Sequence, residues 1–195
     1  VKQLIFYASH LYWLFAPLCL FVIWKSRRAV RLLAALALLG TTVLAYARFV
    51  EPRILNVHSE TIILPGASAQ SRTLRIALFA DTHYGIFHNA MPANRIVETI
   101  NNQDVDAVFL AGDMTYYPGN GQIESALAPF GKLDAPLFVV MGNHDVGFPG
   151  PDLTNPVRDA LDNINAKILQ NRSEPITLAG RRVIVAGLSD LWQGQ

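Results

Sequence analysis

"PLFVVMGNHD", residues 136–145, decides the fold. Apolar residues run from Leu137 to Met141 and break directly into Gly142, Asn143, His144 and Asp145, with no polar lead-in. A short apolar run closed by a turn signal reads as a buried strand. A strand apolar on both faces belongs in a parallel sheet covered on both sides. Two earlier stretches repeat the design: "RIALFADTH" (75–83) and "AVFLAGDMT" (107–115). Between the three strands lie helical segments. Residues 92–103 place Ile96, Val97 and Ile100 at helical spacing, and 123–133 is helical with a proline interrupting it. After the third strand, 154–164 reads as a helix capped by Thr or Asn. "KILQN", "ITLAG" and "RVIVAGL" then supply three more strands, the last two a hairpin turning at "AGR". Strand and helix in alternation predict an α/β sheet.

The chain of 195 residues is 51% hydrophobic, and the apolar excess sits at its start. Residues 1–53 carry seven Lys/Arg and one acid, whereas 54–195 carry nine Lys/Arg and fourteen acids. The basic part is therefore the apolar part, which points to a membrane. The acidic part offers no basic face to a phosphate backbone, so no nucleic-acid partner is expected. A single cysteine, Cys19, permits no intrachain disulfide.

Residues 1–50 read as a transmembrane helical hairpin, with spans at 4–24 and 29–50 joined by "KSRR". About 20 apolar residues cross a bilayer core as a helix. The alternative, a cleaved signal peptide followed by a buried helix, fits poorly because the first run is too long and no A-x-A site follows it. Lys25, Arg27, Arg28 and Arg31 would hold the connecting loop in the cytoplasm and place the later residues on the extracytoplasmic side of a bacterial inner membrane. Residues 51–73 read as a linker that includes an edge strand at "ILNVHSETIIL". Residues 74–195 are the α/β domain. The chain starts at Val1 and stops after "LSDLWQGQ", and a fragment, cut at its C-terminal side, is expected.

The polar residues fall at corresponding places. Asp81 and His83 follow the first strand, Gly112 and Asp113 the second, and Asn143, His144 and Asp145 the third. In open α/β sheets ligands bind at the carboxyl ends of strands, so these side chains should meet on one rim. Carboxylate, imidazole and amide oxygen together suit Mn²⁺, Fe or Zn²⁺. Each pair alone is an ordinary strand-end turn; the three in this order are not. The "DTH", "GDM" and "GNHD" blocks resemble the calcineurin-like metallophosphoesterase family, whose pattern is D-x-H, G-D, G-N-H-D/E and then further histidines. The match covers Arg75 onward, and the later histidines do not occur in these residues. The helical leader and the "YARFVEPR" junction look like membrane-anchored bacterial members.

The resemblance implies a metallophosphoesterase-type β-sandwich flanked by helices, of which this is the first half. It implies two divalent metal ions, with Asp113 bridging them, Asp81 and His83 on the first and Asn143 on the second. His144 is implied as the catalytic residue that meets the phosphoryl group, with Asp145 holding its ring. Asp81 and His83, at i and i+2, are expected on one side of an extended backbone. Gly112 and Gly142 should allow close approach of backbone and metals. His88 is a candidate for the substrate rim, Tyr116 and Tyr117 for lining the pocket, and Trp192 for core or rim packing. The implied reaction is hydrolysis of a phosphomonoester, phosphodiester or pyrophosphate by metal-activated water. The anchor points to a lipid-linked substrate, with the bilayer itself as partner through residues 4–50. Without the later histidines, residues 1–195 alone are expected to be inactive. The rival reading is a non-catalytic membrane sensor or scaffold that keeps the fold.

Overall fold

Side-chain alternation along short apolar strands sets the architecture. The structure, a computed structural model, describes residues 4, 7–63, 65, 73–86, 91–119 and 121–191. The chain divides into two compact units, residues 1–55 and 56–195.

In the second unit, β1 (Ile76–Phe79), β3 (Ala107–Ala111), β5 (Leu137–Val140) and β6 (Lys167–Ile168) form one parallel sheet in the order β1-β3-β5-β6. Ile76 pairs with Ala107, Val108 with Leu137, and Phe138 with Lys167. Each strand joins the next through helical chain: α3 (Ala93–Asn101), α4 (Gln122–Leu127) with the 3-10 turn Ala128–Lys132, and α5 (Thr154–Asp162). Pro129 lies where α4 gives way to the tighter turn, as proline in a helix interior requires.

Val108, Leu110, Val139 and Met141 point to one face of the sheet. There they are buried with Ile96, Val97 and Ile100 of α3, Leu127 of α4 and Val157 and Leu161 of α5. Removing each such side chain from water contributes about 1.5–3 kcal/mol. Ala107, Phe109 and Phe138 point to the other face, against Ile176, Leu178, Val183 and Val185. Those four residues belong to β7 (Arg172–Leu178) and β8 (Arg181–Gly187), an antiparallel hairpin in which Leu178 pairs with Arg181. The sheet is thus covered by helices on one side and by a hairpin on the other, in line with the expected mixed α/β class.

Three local expectations fail. Among the described residues 54–63 there is no strand, and Ile62 and Ile63 are more than 80% exposed. An apolar run becomes a strand only where a sheet edge is there to pair with it. Helix α5 is not capped by its own Thr or Asn; Asp152 Oδ1 accepts the Thr154 N–H at 2.9 Å. The first apolar run is not one regular helix either. A 3-10 turn at Ser9–Leu11 precedes α1 (Tyr12–Lys25), which contains Pro17. Leu64, all of 66–72, His88 and Trp192 lie outside the described residues.

In the first unit α1 is followed by α2 (Arg28–Phe49). At 22 residues α2 is about 33 Å long, against about 21 Å for the 14 residues of α1. Among the described residues, Arg28–Arg53 is the one helical stretch long and apolar enough to cross a membrane. Within it the Thr41 and Thr42 hydroxyls donate to the Ala37 and Leu38 carbonyls at 2.8 Å. Cys19 is buried within this unit, and the His10 ring packs on Phe49 at 5.6 Å.

Candidate metal centre

All six polar residues singled out in the sequence follow β1, β3 and β5, at the carboxyl ends of parallel strands. The loops after β1 and β3 do not splay apart. Asp81 N–H donates to the Gly112 carbonyl, His83 N–H to Asp113, and Tyr84 N–H to Met114, at 2.8–3.1 Å. This ladder continues the sheet into a second, two-stranded one, β2 (Tyr84–Gly85) with β4 (Thr115–Tyr116). Neither was expected, since two-residue strands carry no periodicity.

The backbone within the ladder is strained at the functional positions. Asp81, His83 and Asp113 have φ of 58°, 47° and 54°. Non-glycine residues enter this left-handed region rarely, Asp and His more readily than most. Such strain costs on the order of 1 kcal/mol per residue and gathers at functional sites. The extended backbone expected for Asp81 and His83 is therefore corrected: two left-handed residues bring the carboxylate and imidazole together.

His83 Nε2 lies 3.8 Å from Asp81 Oδ1 and 3.7 Å from Asp113 Oδ2. These separations are too long for hydrogen bonds, and His83 Nε2 is buried without a hydrogen-bond partner. Two ligand atoms about 2.1 Å from a tetrahedral ion stand roughly 3.4 Å apart, close to the separations found. His83, Asp113 and His144 each present a possible ligand atom within 4.8 Å of the others. An orphaned imidazole nitrogen facing two carboxylates fits a divalent cation, and the chemistry of the donors agrees.

Asp113 is shared between the loops. Its Oδ1 accepts the His144 N–H at 3.2 Å while Oδ2 faces His83. Asn143 Nδ2 donates to the Phe148 carbonyl at 2.7 Å, which fixes the side-chain amide by its nitrogen. The glycines allow the close backbone approach expected of them. A Cβ on Gly112 would stand 2.8 Å from Gly142 N, and one on Gly142 would fall on the Asp113 carboxylate. They let the second and third loops nest against each other. Gly142→Ala is predicted to cost about 1–3 kcal/mol through overpacking and to weaken metal binding at least about ten-fold, because Asp113 must move. Thermal unfolding and metal titration of the variant check this.

The ring-holding role expected of Asp145 is also corrected. Its carboxylate is fully buried. Oδ1 accepts the Thr115 N–H at 2.9 Å and Oδ2 the Gly142 N–H at 3.0 Å. No hydrogen bond joins it to the His144 ring among the described residues. Asp145 clasps the loops after β3 and β5, and so holds Asn143 and His144 through the backbone. Burial pushes its carboxyl up to about 6; the nearby Asp113 charge adds to this, and the Gly142 and Thr115 N–H groups oppose it.

Tyr116, a pocket-lining candidate in the sequence, is buried against both imidazoles, with ring centroids 4.6 Å from His144 and 5.5 Å from His83. Tyr117 packs on Tyr116 at 4.9 Å and is 42% exposed. Thr115, fully buried and bonded to Asp145, is a site residue that the sequence did not announce.

Strained loops at the ends of parallel strands, with an aspartate shared between them, gather side chains that could hold a metal ion. A family model for calcineurin-like phosphoesterases matches residues 74–194, and the chain belongs to that family of metal-dependent hydrolases. It is similar to the uncharacterized metallophosphoesterase YkuE of Bacillus subtilis (strain 168), 28% identical over 166 residues, 83% of this chain and 57% of that protein. It is also 28% identical over 200 aligned positions to F40B5.2 of Caenorhabditis elegans, a protein named for the same family, across 98% of this chain and 39% of that protein. The chain thus spans between about two-fifths and three-fifths of the length of these relatives. No solved structure matches.

Proposed function

We propose that the full-length protein is a membrane-anchored phosphoesterase with a binuclear metal centre. The observation that carries the reading is the orphaned His83 Nε2 facing Asp81 and Asp113. Two divalent ions, when bound, would supply Lewis acidity to activate water and to neutralise the phosphoryl group. Asp81, His83 and Asp113 would hold one ion; Asp113 and the Asn143 amide oxygen would hold the other. His144 would face the phosphoryl group. Asp81 would already give the first ion an anionic donor, and His144 follows Asn143 directly in the chain. Its ring would donate a hydrogen bond to a phosphoryl oxygen or a proton to the leaving alkoxide. Asp145 would act as a positioning residue through Gly142 and Thr115.

The substrate class is a phosphomonoester, phosphodiester or pyrophosphate. Arg28–Arg53 supports an anchor in the bilayer, and an anchored site favours a lipid-linked ester. The basic loop between α1 and α2 favours a cytoplasmic turn, with the catalytic unit on the extracytoplasmic side. Residues 1–195 alone are predicted to turn over little. The test uses the full-length protein and p-nitrophenyl phosphate. Hydrolysis should fall to background after thorough chelation and return with Mn²⁺. Hydrolysis that survives chelation sinks the reading; a protein that binds metal but hydrolyses no phosphate ester would favour the sensor.

A further inference from the structure

We infer that Tyr116 is a positioning residue that locks the His83 and His144 imidazoles in their working orientations. A metal-site histidine is ordinarily oriented by a hydrogen bond from its second ring nitrogen to a carboxylate, carbonyl or water. Here no hydrogen bond reaches either ring from the described residues, and His83 Nε2 faces the Asp81 and Asp113 carboxylates at 3.7–3.8 Å. An imidazole without such a bond would turn about its ring torsion, which is broad. Packing supplies the constraint instead. The Tyr116 ring meets His144 at 81° and His83 at 68°, both edge to face, and the two imidazoles meet each other at 5.4 Å and 75°. Each of the three rings touches the other two at 68–81°, so a turn of any one disturbs both of its contacts. Edge-to-face contact is also the arrangement that aromatic quadrupoles favour.

The tyrosine is itself held firmly. Its residue pairs with Gly85 in the β2–β4 ladder, and its carbonyl accepts the Ile86 N–H at 3.0 Å. A Cβ on Gly85 would collide with that carbonyl, so the close approach needs glycine. Tyr117 packs on the ring at 83°. Tyr116 therefore carries the rigidity of the two-stranded sheet to both histidines.

This inference rests on the reading of His83 as a metal ligand and His144 as the phosphoryl-facing group. Its test uses the full-length protein carrying Tyr116→Phe, Tyr116→Leu and Tyr116→Met. The first keeps the flat ring, and the others keep apolar volume without it; Met covers the case in which the Leu variant does not fold. Metal-stripped proteins are titrated with Co²⁺ and their visible absorption recorded. Tyr116→Phe should match the wild type, while the Leu or Met variant should bind Co²⁺ about 10-fold more weakly with an altered spectrum. With p-nitrophenyl phosphate, loss of the ring should lower kcat about 10–100-fold with KM little changed. Added to His144→Ala, it should lower kcat much less than in the wild type, since residues acting as a unit are not additive. Wild-type Co²⁺ spectra and kcat in the ring-less variants would overturn the inference. So would fully additive loss in the double variant, or a Phe variant as damaged as the Leu one. Absence of phosphate-ester hydrolysis in the wild type would sink the phosphoesterase reading instead, and the Co²⁺ spectra would still decide the role of Tyr116.

Discussion

Asp113→Asn is expected to empty the metal centre and lower phosphate-ester hydrolysis by more than about 10³-fold, with the fold intact. The substitution is chosen for its backbone. Asp113 sits at φ 54°, a conformation asparagine tolerates nearly as well as aspartate. The amide oxygen can still accept the His144 N–H that Oδ1 now accepts at 3.2 Å. What is lost is the charge, and the second anionic oxygen that faces His83 at 3.7 Å. A neutral amide cannot bridge two cations with both of its heavy atoms. The metal-free protein should not be weakened, because the Asp113 charge acts unfavourably on buried Asp145. Elemental analysis, thermal unfolding and kinetics on one preparation check all three statements. A variant that keeps full metal content would remove Asp113 from the bridging role.

His144→Ala is expected to separate catalysis from metal binding. A positioned acid or hydrogen-bond donor contributes about 10²–10⁴-fold, and kcat should fall by that amount with metal content retained. The hydrogen bond from residue 144 to Asp113 is made by the backbone N–H, so the alanine variant preserves it. Its geometry leaves a second possibility for the experiment to decide, since the ring stands with His83 and Asp113 in one cluster of ligand atoms. If metal is lost in step with activity, His144 is a ligand and the assignment fails.

These two residues were legible in the sequence because strand ends are. Apolar runs at 75–80, 107–112 and 136–142 announce parallel strands, and the rule for ligands at their carboxyl ends then gathers Asp81, Asp113 and His144 on one rim. The parts that could not be read depend on contacts without a local signature. Tyr116 reaches both histidines because two residues of each loop pair as β2 and β4, and that pairing depends on left-handed turns at Asp81, His83 and Asp113. Adjacency in the chain suggested that Asp145 holds the His144 ring. In the fold its two oxygens are taken by N–H groups of Gly142 and Thr115, one of them 30 residues away. The apolar stretch before residue 64 had the composition of a strand, but no described edge receives it. The first apolar run had the composition of one regular span, yet among the described residues a 3-10 turn at Ser9–Leu11 interrupts it before the helix Tyr12–Lys25.

The most direct measurement is a titration of metal-stripped full-length protein with Mn²⁺, in which bound ions per chain and p-nitrophenyl phosphate hydrolysis are followed together. Activity that rises in step with metal and saturates at two ions per chain is the predicted result. Hydrolysis that is already complete in the stripped protein, or metal that binds without eliciting any, would contradict the account.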